Sequence, residues 1–395
     1  MKRTFSLIAL AALAASACSD TQSPTSPAPN PELSMSQAEE RAGVIPGRFI
    51  VTLRDSDDPR AVASSHGVAP DFIYERALKG FAGGMSEAAR SGLLRDARVV
   101  SIEPDGIMYA STTQTSATWG IDRSDQRSLP LSTTYSFTNT GAGVKAYIID
   151  TGIRLTHSEF GGRAITGYDA VTAGGNANDC NGHGSHVAGT VGGSTYGVAK
   201  GVTLVAVRVL GCNGSGSTSG VIAGIDWVTG NHAAGTAAVA NMSLGGGAST
   251  ALDNAVRNSI ADGVTYAVAA GNGNFLGIAQ DACRYSPARV TEAVTIGASD
   301  KTDRKASFSN YGNCVDFFAP GVGITSAWKD NDTQTNTISG TSMATPHVAG
   351  VAALYLQSNP GSSPSTVRTA LFNNTTKGVV TSSKSVNNHL LFTNY

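Results

Sequence analysis

The chain has 395 residues and a formal net charge of -1, so its basic and acidic side chains nearly balance. Charged residues make up 14% of the chain, well below the roughly 25% that is usual for globular domains. This length allows a large core and more than one domain. Because there is no long basic run and no net positive charge, we expect no nucleic-acid partner.

The first 18 residues predict an export signal. A basic start precedes an apolar run over residues 5–15, which is too short for a comfortable membrane span. Residues 16–18 also resemble the end of a bacterial lipoprotein signal, so lipidation of Cys18 and ordinary cleavage both stay open. We therefore expect a secreted, extracellular protein, with a transient lipid anchor on Cys18 as the alternative.

A small domain is predicted next. Residues 19–43 are rich in Ser, Thr, Pro and Asn, which is typical of a disordered linker. Residues 44–110 then carry segments in the order strand, helix, strand, strand, helix, strand. They are GRFIVTL, DPRAVASSHG, FIYERAL, KGFAGGM, SEAARSGLLRD and RVVSIEPDG. This order is that of a split βαβ sandwich, and we predict a small α+β ferredoxin-like domain.

A larger domain is predicted over residues 111–395, after a polar boundary stretch that includes STTQTSAT. Apolar runs such as VKAYIID, VTLVAVRVL and GVTYAVAAGN alternate there with helix-like stretches such as GVIAGIDWVTGNH. Such runs are typical of strands that are buried on both faces. We predict a three-layer α/β domain with a mainly parallel sheet flanked by helices, and ligands at the carboxyl ends of its strands.

The chain has five cysteines, and Cys18 lies in the predicted export signal. The other four would form two disulfides in an oxidising compartment, and the sequence alone leaves three pairings open. They are Cys180, Cys212, Cys283 and Cys314.

A candidate nucleophile, Ser342, lies in GTSMATPHVAG, where a loop turns into an apolar helix. The positive end of a helix favours developing negative charge on a hydroxyl placed there. Taken alone, such a serine is usually a helix N-cap. The interpretation therefore depends on its partners.

Those partners are Asp150, which ends VKAYIID, and His183, in NGHGSHVAGT. Each alone is commonly a turn residue or a buried polar group, but a serine, a histidine that takes its proton and a carboxylate that orients the histidine are the set that acyl transfer needs. Asn272 ends GVTYAVAAGN at the same sheet edge. Its amide, with the N–H of Ser342, can stabilise the oxyanion of a tetrahedral intermediate.

These motifs, in the order Asp, His, Ser, resemble the subtilisin-like serine proteases, or subtilases. More narrowly, WGIDRSDQRSLPL, DCNGHGSHVAGT and SFSNYGNCVDFFAPG are similar to the proteinase K subfamily, nearest the aqualysin-type enzymes. The resemblance covers residues 112–395, and the preceding domain resembles the inhibitor I9-type subtilase propeptide.

The resemblance implies a monomeric serine endopeptidase that works through an acyl-enzyme on protein and peptide substrates, with broad specificity and an apolar or aromatic preference. It implies no catalytic metal or organic cofactor. It also implies an autoprocessed zymogen, cut between residues 110 and 114, whose propeptide serves as intramolecular chaperone and inhibitor.

Further sites follow from the resemblance by position. Substrate backbone would lie as a strand between two segments, and the pocket for the residue before the cut would be walled by residues 244–247 and 269–271. The two segments consist of Gly214, Ser215, Gly216 and of Ser243, Leu244, Gly245. The implied disulfides join Cys180 to Cys212 and Cys283 to Cys314.

Structural calcium is also implied. One site would use Asp122, Asp125 and Gln126, and a second would use Asp316 with carbonyl groups near Thr291 and Ala293. Ligand sets made only of oxygen suit Ca²⁺. The alternative interpretation is that these are solvated loop carboxylates.

Parts of the sequence suggest three other functions. The DTG at Asp150 suggests an aspartic protease, but such a single-chain enzyme needs a second loop of this kind, and the sequence has none. His183 and His186 suggest a zinc enzyme, but the HEXXH pattern is missing. A binding protein on a protease scaffold is the third, and the complete set Asp150, His183, Ser342 and Asn272 argues against it.

Overall fold

The structure is a computed structural model that describes residues 44–106 and 112–395. The described residues form two compact units, and the change from one to the other falls between these two ranges. The predicted signal peptide, Cys18 and the linker lie outside the described residues. The predicted cleavage segment lies partly outside them.

The first unit is a four-stranded antiparallel sheet in the order β2-β3-β1-β4. Its elements are β1 (Val44–Leu53), α1 (Pro59–Ser65), β2 (Phe72–Tyr74), β3 (Gly80–Gly84), α2 (Glu87–Leu93) and β4 (Val99–Gly106). Val51 pairs with Phe81 of β3, and these side chains form a core with Val62 of α1 and Leu93 of α2. The predicted β-α-β-β-α-β order is confirmed.

The second unit contains the remaining elements. They are β5 (Thr112–Thr115), α3 (Trp119–Ser124), β6 (Thr134–Phe137), β7 (Lys145–Asp150), β8 (Ala164–Asp169), α4 (His183–Gly192), β9 (Thr203–Arg208), α5 (Thr218–Asn231), β10 (Ala238–Met242), β11 (Gly246–Gly247), α6 (Thr250–Asp262), β12 (Thr265–Ala269), β13 (Tyr285–Ser286), β14 (Val294–Ser299), β15 (Phe317–Pro320), β16 (Ile324–Ala327), β17 (Thr335–Ile338), α7 (Thr341–Ser358) and α8 (Pro364–Asn374). Short 3₁₀ turns cover Ser158–Phe160 and Ala282–Arg284.

A seven-stranded parallel sheet in the order β15-β14-β12-β10-β7-β9-β8 organises this unit. The chain builds β7, β8 and β9 toward one edge and then returns to place β10 on the other side of β7. In open α/β sheets, ligands bind at the carboxyl ends of the strands beside such a reversal. The fold class predicted from the sequence is confirmed.

Helices cover both faces because alternate strand residues point to opposite sides. In β7, Ala146 and Ile148 belong to a core shared with α4, α7 and α8, whereas Tyr147 and Ile149 face a core shared with α5 and α6. Burial on both faces explains why these strands are continuous apolar runs.

Helix α7 is buried on nearly every side by small and apolar residues, and Pro346 lies inside its N-terminal part. It packs against the strands β10, β12 and β14 and begins at Thr341. Within the two described ranges, no helix has both the length and the apolar character needed to cross a membrane.

Two disulfides tie loops of the second unit together, with the pairing that the resemblance implies. Cys180 is bonded to Cys212 with a Cα–Cα distance of 4.9 Å, and Cys283 to Cys314 with one of 5.3 Å. The first bond joins the segment just before α4 to the segment after β9. It therefore fixes two loops at the carboxyl edge of the sheet.

Candidate active site

Asp150 and His183 form a hydrogen-bonded pair at the carboxyl edge of the sheet. Asp150 is the last residue of β7 and is fully buried, and His183 is the first residue of α4. The Nδ1 atom of His183 donates to Oδ1 of Asp150 at 2.8 Å, and the N–H of Thr151 donates to the same oxygen at 2.7 Å. Because an ionised carboxylate only accepts, Nδ1 carries the proton and Nε2 is left as the basic nitrogen.

The protonation of His183 is set by two opposing effects. Burial lowers the pKa of the imidazole, but the charge and hydrogen bond of Asp150 raise it, and so does the charge of Asp179. The net result is a pKa above the ordinary histidine value. The His183 side chain is still 25% exposed, so a bound molecule can reach it.

Ser342 is tied to the loop after β10 by two hydrogen bonds. Its hydroxyl donates to the carbonyl of Ser243 at 3.0 Å, and the hydroxyl of Ser243 donates to the carbonyl of Ser342 at 2.8 Å. Ser342 is the second residue of α7, where backbone N–H groups have no partner within the helix. The helix dipole and these N–H groups favour negative charge at this position.

Asn272 is held with its amide nitrogen directed toward the start of α7. Its side-chain oxygen accepts from the N–H of Thr341 at 2.8 Å and from the Thr341 hydroxyl at 2.9 Å. The oxygen is therefore engaged, and the NH₂ is the end that can donate to another group. A Cβ built on Gly340 would lie 3.4 Å from that nitrogen. The NH₂ is therefore close to Gly340, which precedes Ser342 by two residues.

A cleft of about 390 Å³ runs along this edge of the sheet. Its lining includes His183 and all six residues predicted to hold substrate, together with neighbours such as Leu210, Gly246, Gly247 and Leu252. The structure thus brings Gly214, Ser215, Gly216, Ser243, Leu244 and Gly245 to one cavity. One expected pocket wall, residues 244–247, lines this cleft. The other, residues 269–271, is not among the described residues that line it.

One side of the cleft depends on a glycine. A Cβ at Gly216 would lie 2.3 Å from the carbonyl oxygen of Val209, which no real side chain allows. Only glycine therefore lets the segment from Gly214 to Gly216 run this close to the end of β9. This close approach shapes the wall on which a substrate strand would lie.

Two other histidines near the site serve the core. The Nε2 atom of His186 lies 2.9 Å from the carbonyl oxygen of Ile324, and burial lowers the pKa of His186 to about 4. His347 contacts the carbonyl oxygen of Met343 through Nδ1, and burial lowers its pKa to about 4 as well. Both imidazoles are therefore neutral, and each is bonded to a backbone carbonyl in the core.

The first predicted calcium site has donor groups that fit a cation. Asp125 accepts from the N–H of Ser136 at 2.7 Å through Oδ2, while its buried Oδ1 has no hydrogen-bond partner. Burial raises the pKa of Asp125 to about 6, and the nearby charge of Asp122 also raises it. The Gln126 amide contacts the Asp122 carboxylate. The unpartnered Oδ1 of Asp125 suits Ca²⁺, whereas both oxygens of Asp122 accept hydrogen bonds here, from the Gln126 NH₂, Ser132 and Thr133.

The cation would depend on neutral oxygens as well. No cluster of three or more His, Cys, Asp or Glu residues that could hold a metal occurs in the described part of the chain. The hydroxyl of Ser132 lies at this site, where it donates to Asp122 at 2.9 Å. Amide, hydroxyl and carbonyl oxygens would therefore complete the ligand set.

The residues of the second predicted calcium site do not fit a cation. Asp316 pairs with the guanidinium of Arg368 through Oδ1 and accepts from the N–H of Thr295 at 2.8 Å through Oδ2. Arg368 also donates to the carbonyl of Ala293 at 3.2 Å. The expected carboxylate and one expected carbonyl thus already share a positive partner, so this arrangement does not support calcium at Asp316, which stays a prediction. Sequence reasoning missed Arg368 because it lies 52 residues away on α8.

Comparison with known proteins places the chain in a family. The model described as "Subtilase family" matches residues 141–390, more than half of the chain. The chain belongs to the subtilase family. The prediction made from the four motifs is thereby confirmed, and with it the prediction that the protein is an enzyme of the serine protease class.

Individual relatives of this subtilase agree with that assignment. An extracellular serine proteinase of Thermus sp. (strain Rt41A) is 53% identical over 96% of this chain and 96% of its own length. Alkaline serine exoprotease A of Vibrio alginolyticus is 53% identical over 83% of this chain and 61% of its own length. The crystal structure of a cold adapted subtilisin-like serine proteinase is 54% identical, has a TM-score of 0.66 and covers 70% of this chain and 98% of that one.

Sequence reasoning missed Asp179, which bonds to residues that flank Asp150 and His183 in this subtilase. Its carboxylate is buried and accepts five hydrogen bonds. The donors are the Thr151 hydroxyl, the N–H groups of Asn181 and Gly182, and the N–H and hydroxyl of Ser185. The motif DCNGHG contains Asp179, but nothing in the sequence indicates that its partners lie next to both Asp150 and His183.

Proposed function

We propose that this subtilase is a secreted serine endopeptidase in which Ser342 is the nucleophile, His183 the general base and Asp150 the group that orients the base. The observation that carries the proposal is the His183–Asp150 hydrogen bond of 2.8 Å at the rim of a cleft lined by the predicted substrate residues. Its similarity to an extracellular serine proteinase and an alkaline serine exoprotease supports it.

In the proposed reaction, the Ser342 hydroxyl leaves the Ser243 carbonyl and donates to Nε2 of His183. The hydrogen bond between a nucleophile and its base is often formed only when substrate is bound. The oxygen of Ser342 attacks the carbonyl carbon as its proton passes to His183. Asp150 stabilises the imidazolium that forms and does not take the proton itself.

The tetrahedral intermediate carries negative charge on the former carbonyl oxygen. The Asn272 amide NH₂ and the backbone N–H of Ser342 donate to that oxygen. His183 then protonates the leaving amine, which gives the acyl-enzyme, and it later activates the water that hydrolyses the ester. Because the side-chain oxygen of Asn272 accepts hydrogen bonds from Thr341, the side-chain NH₂ is oriented before substrate arrives.

The substrate backbone lies as a strand between residues 214–216 and 243–245. Main-chain hydrogen bonds in that arrangement give affinity with little dependence on sequence. The cleft also contains Leu210, Leu244 and Leu252, whose apolar side chains favour apolar or aromatic substrate residues. We therefore propose a broad specificity with that preference.

The protein is made as a zymogen, and the unit formed by residues 44–106 is its propeptide. Self-cleavage occurs between residues 110 and 114 and releases a monomeric mature enzyme. The propeptide acts as a folding chaperone before that cut and as an inhibitor until it is degraded. Lipidation of Cys18 stays a prediction, and after cleavage such an anchor would remain with the propeptide.

Ca²⁺ binds at Asp122, Asp125 and Gln126 and has a structural role. When bound, it neutralises the two carboxylates and supplies a partner for the Oδ1 atom of Asp125. Its contribution is therefore to the stability of the loop that follows α3 and not to the chemical step.

The full-length Ser342→Ala variant tests the nucleophile and self-processing together. We expect the variant to accumulate as uncleaved precursor without peptide hydrolysis, because the attacking oxygen is gone. Ser339→Ala is the matched control, since it removes a hydroxyl three residues earlier that only accepts from the N–H of Gly323 at 2.8 Å. Cleavage near residue 112 in the Ser342 variant, in a host without other proteases, would contradict the proposal.

A further inference from the structure

Asn310 is a buried asparagine whose polar groups bond to the segment that carries Asn272. It is only 1% exposed, and it follows β14 in the chain. Its amide nitrogen donates to the carbonyl of Ala270 at 2.9 Å, and its amide oxygen accepts from the N–H of Gly273 at 3.0 Å. One side chain thus bonds to the backbone on both sides of Asn272.

The backbone of Asn310 adds another bond to the same segment, because its N–H donates to the carbonyl of Gly271 at 2.9 Å. Its side-chain oxygen also accepts from the N–H of Gln280 at 2.7 Å, which closes the neck of the loop between Gly273 and Gln280. The two residues before Asn272 and the one after it are therefore each fixed to Asn310.

The close approach at this point requires glycine at position 271. Gly271 has φ of 99°, a conformation that residues with a side chain rarely adopt. A Cβ there would also lie 2.5 Å from the amide nitrogen of Asn310. The chain thus gives up a side chain beside Asn272 to let Asn310 bind the backbone.

Asn310 itself is anchored to the central sheet. The hydroxyl of the preceding Ser309 accepts from the N–H of Ala298 in β14 at 2.9 Å and donates to the carbonyl of Asn310 at 3.1 Å. The ammonium of the buried Lys305 donates to the carbonyl of Ser309 at 2.9 Å. The group that holds the Asn272 segment therefore lies in a loop that is itself bonded to β14.

From these contacts we propose that Asn310 is a positioning residue for the reaction: it fixes the backbone around Asn272 so that the Asn272 amide points at the oxyanion. This inference rests on the proposed function, in which Asn272 is an oxyanion donor. Thr341 holds the Asn272 amide oxygen, whereas Asn310 holds the main chain from which that side chain projects. An oxyanion donor displaced by a fraction of an ångström no longer matches the transition state.

A double-mutant cycle between Asn310→Ala and Asn272→Ala tests the proposal in the mature, secreted enzyme. Active sites are first titrated with a serine-directed phosphonyl fluoride, so that only folded enzyme is counted. We expect Asn272→Ala to lower kcat by about 10²–10³-fold and Asn310→Ala by about 10-fold, with KM changed by less than about twofold. In the double variant, kcat should lie within about twofold of that of Asn272→Ala alone, because the two residues act through one group.

Asn139→Ala is the matched control, since Asn139 caps the far end of α7 through the Leu354 carbonyl at 3.1 Å and the Ser358 hydroxyl at 2.8 Å. It should leave kcat unchanged in both backgrounds. If Asn310→Ala is not secreted, Asn310→Ser is used in the same cycle.

Equal loss of kcat from the Asn310 change in both backgrounds would overturn the proposal, and so would a wild-type kcat in the single variant. Either result leaves the proposed function standing. Failure of the proposed function would instead appear as wild-type enzyme that the phosphonyl fluoride does not titrate.

Discussion

Replacing Asp179 by asparagine separates its structural role from its electrostatic one. Of its five hydrogen bonds, three reach Oδ1 and two reach Oδ2 from Ser185. An asparagine whose amide oxygen lies at the Oδ1 position keeps the three. Its NH₂ then faces the buried N–H of Ser185, and two donors oppose each other without an acceptor.

The structural cost follows from that one unsatisfied N–H and the lost charge-assisted bonds. We expect a loss of about 2–3 kcal/mol in the free energy of unfolding, because a buried donor without a partner costs about 1–3 kcal/mol. For a domain of this size the midpoint of thermal unfolding should fall by about 4–10 °C.

The electrostatic effect appears in the pH dependence of activity. The charge of Asp179 raises the pKa of His183, so removing it lowers that pKa. His183 must be neutral to act as a base, and activity is therefore lost as the pH falls through its pKa. The acidic limb of the kcat/KM profile should move to lower pH in Asp179→Asn.

Calorimetry of the phosphonyl-fluoride-inhibited enzyme measures stability without autolysis. Peptide hydrolysis by the active enzyme between about pH 4 and 9 gives the pH profile of kcat/KM. Asp300→Asn is the matched control, because the three donors to Asp300 all reach one oxygen, which the amide can replace. It should change the midpoint by less than about 1 °C. An unchanged midpoint together with an unshifted acidic limb in Asp179→Asn would refute this reasoning.

Three further predictions concern the disulfide, the cation site and the cleft. Replacing Cys180 and Cys212 together by serine should lower the free energy of urea unfolding by about 3–4 kcal/mol, because the bond closes a loop with a sequence separation of 32. An unchanged urea midpoint with an unchanged m value would contradict this stabilisation. A chelator should lower the midpoint of thermal unfolding of the wild type but not that of Asp125→Asn. An equal drop in both proteins would show that calcium does not bind at Asp125. Gly216→Ala should raise KM for peptides severalfold through its clash with a backbone carbonyl, whereas Gly230→Ala, with open space around it, should not; equal KM values would contradict this role for the cleft wall.

Much of the fold and the candidate site could be predicted because the relevant information is local. Asp150 ends a continuous apolar strand, and His183 and Ser342 each begin a helix of small residues. Parallel strands place their carboxyl ends at one edge, which locates Asp150 at the end of β7. Ser342 follows β17, which belongs to a separate antiparallel pair, so its place depends on the packing of α7 against the sheet. The order of the motifs was then enough to indicate the reaction class.

The supporting residues could not be predicted because their partners are distant in sequence. Asn310 bonds to a backbone segment 30 to 40 positions earlier, and the Asp316 partner Arg368 lies 52 positions later. Neither Asn310 nor Arg368 lies in a sequence pattern that indicates its contact. The same applies to the calcium prediction at Asp316, because a carboxylate at such a position can be satisfied by an arginine as well as by a cation.

The most direct test of the central claim is to map where a serine-directed phosphonyl fluoride reacts with the mature enzyme. Mass spectrometry of the inactivated protein should show one phosphonyl group per chain, located by peptide mapping on Ser342, with label and residual activity in inverse proportion. Because the base must be neutral, the rate of labelling should fall as the pH falls through the pKa of His183. Complete inactivation with the label on another residue, or full label on Ser342 with activity retained, would contradict the account.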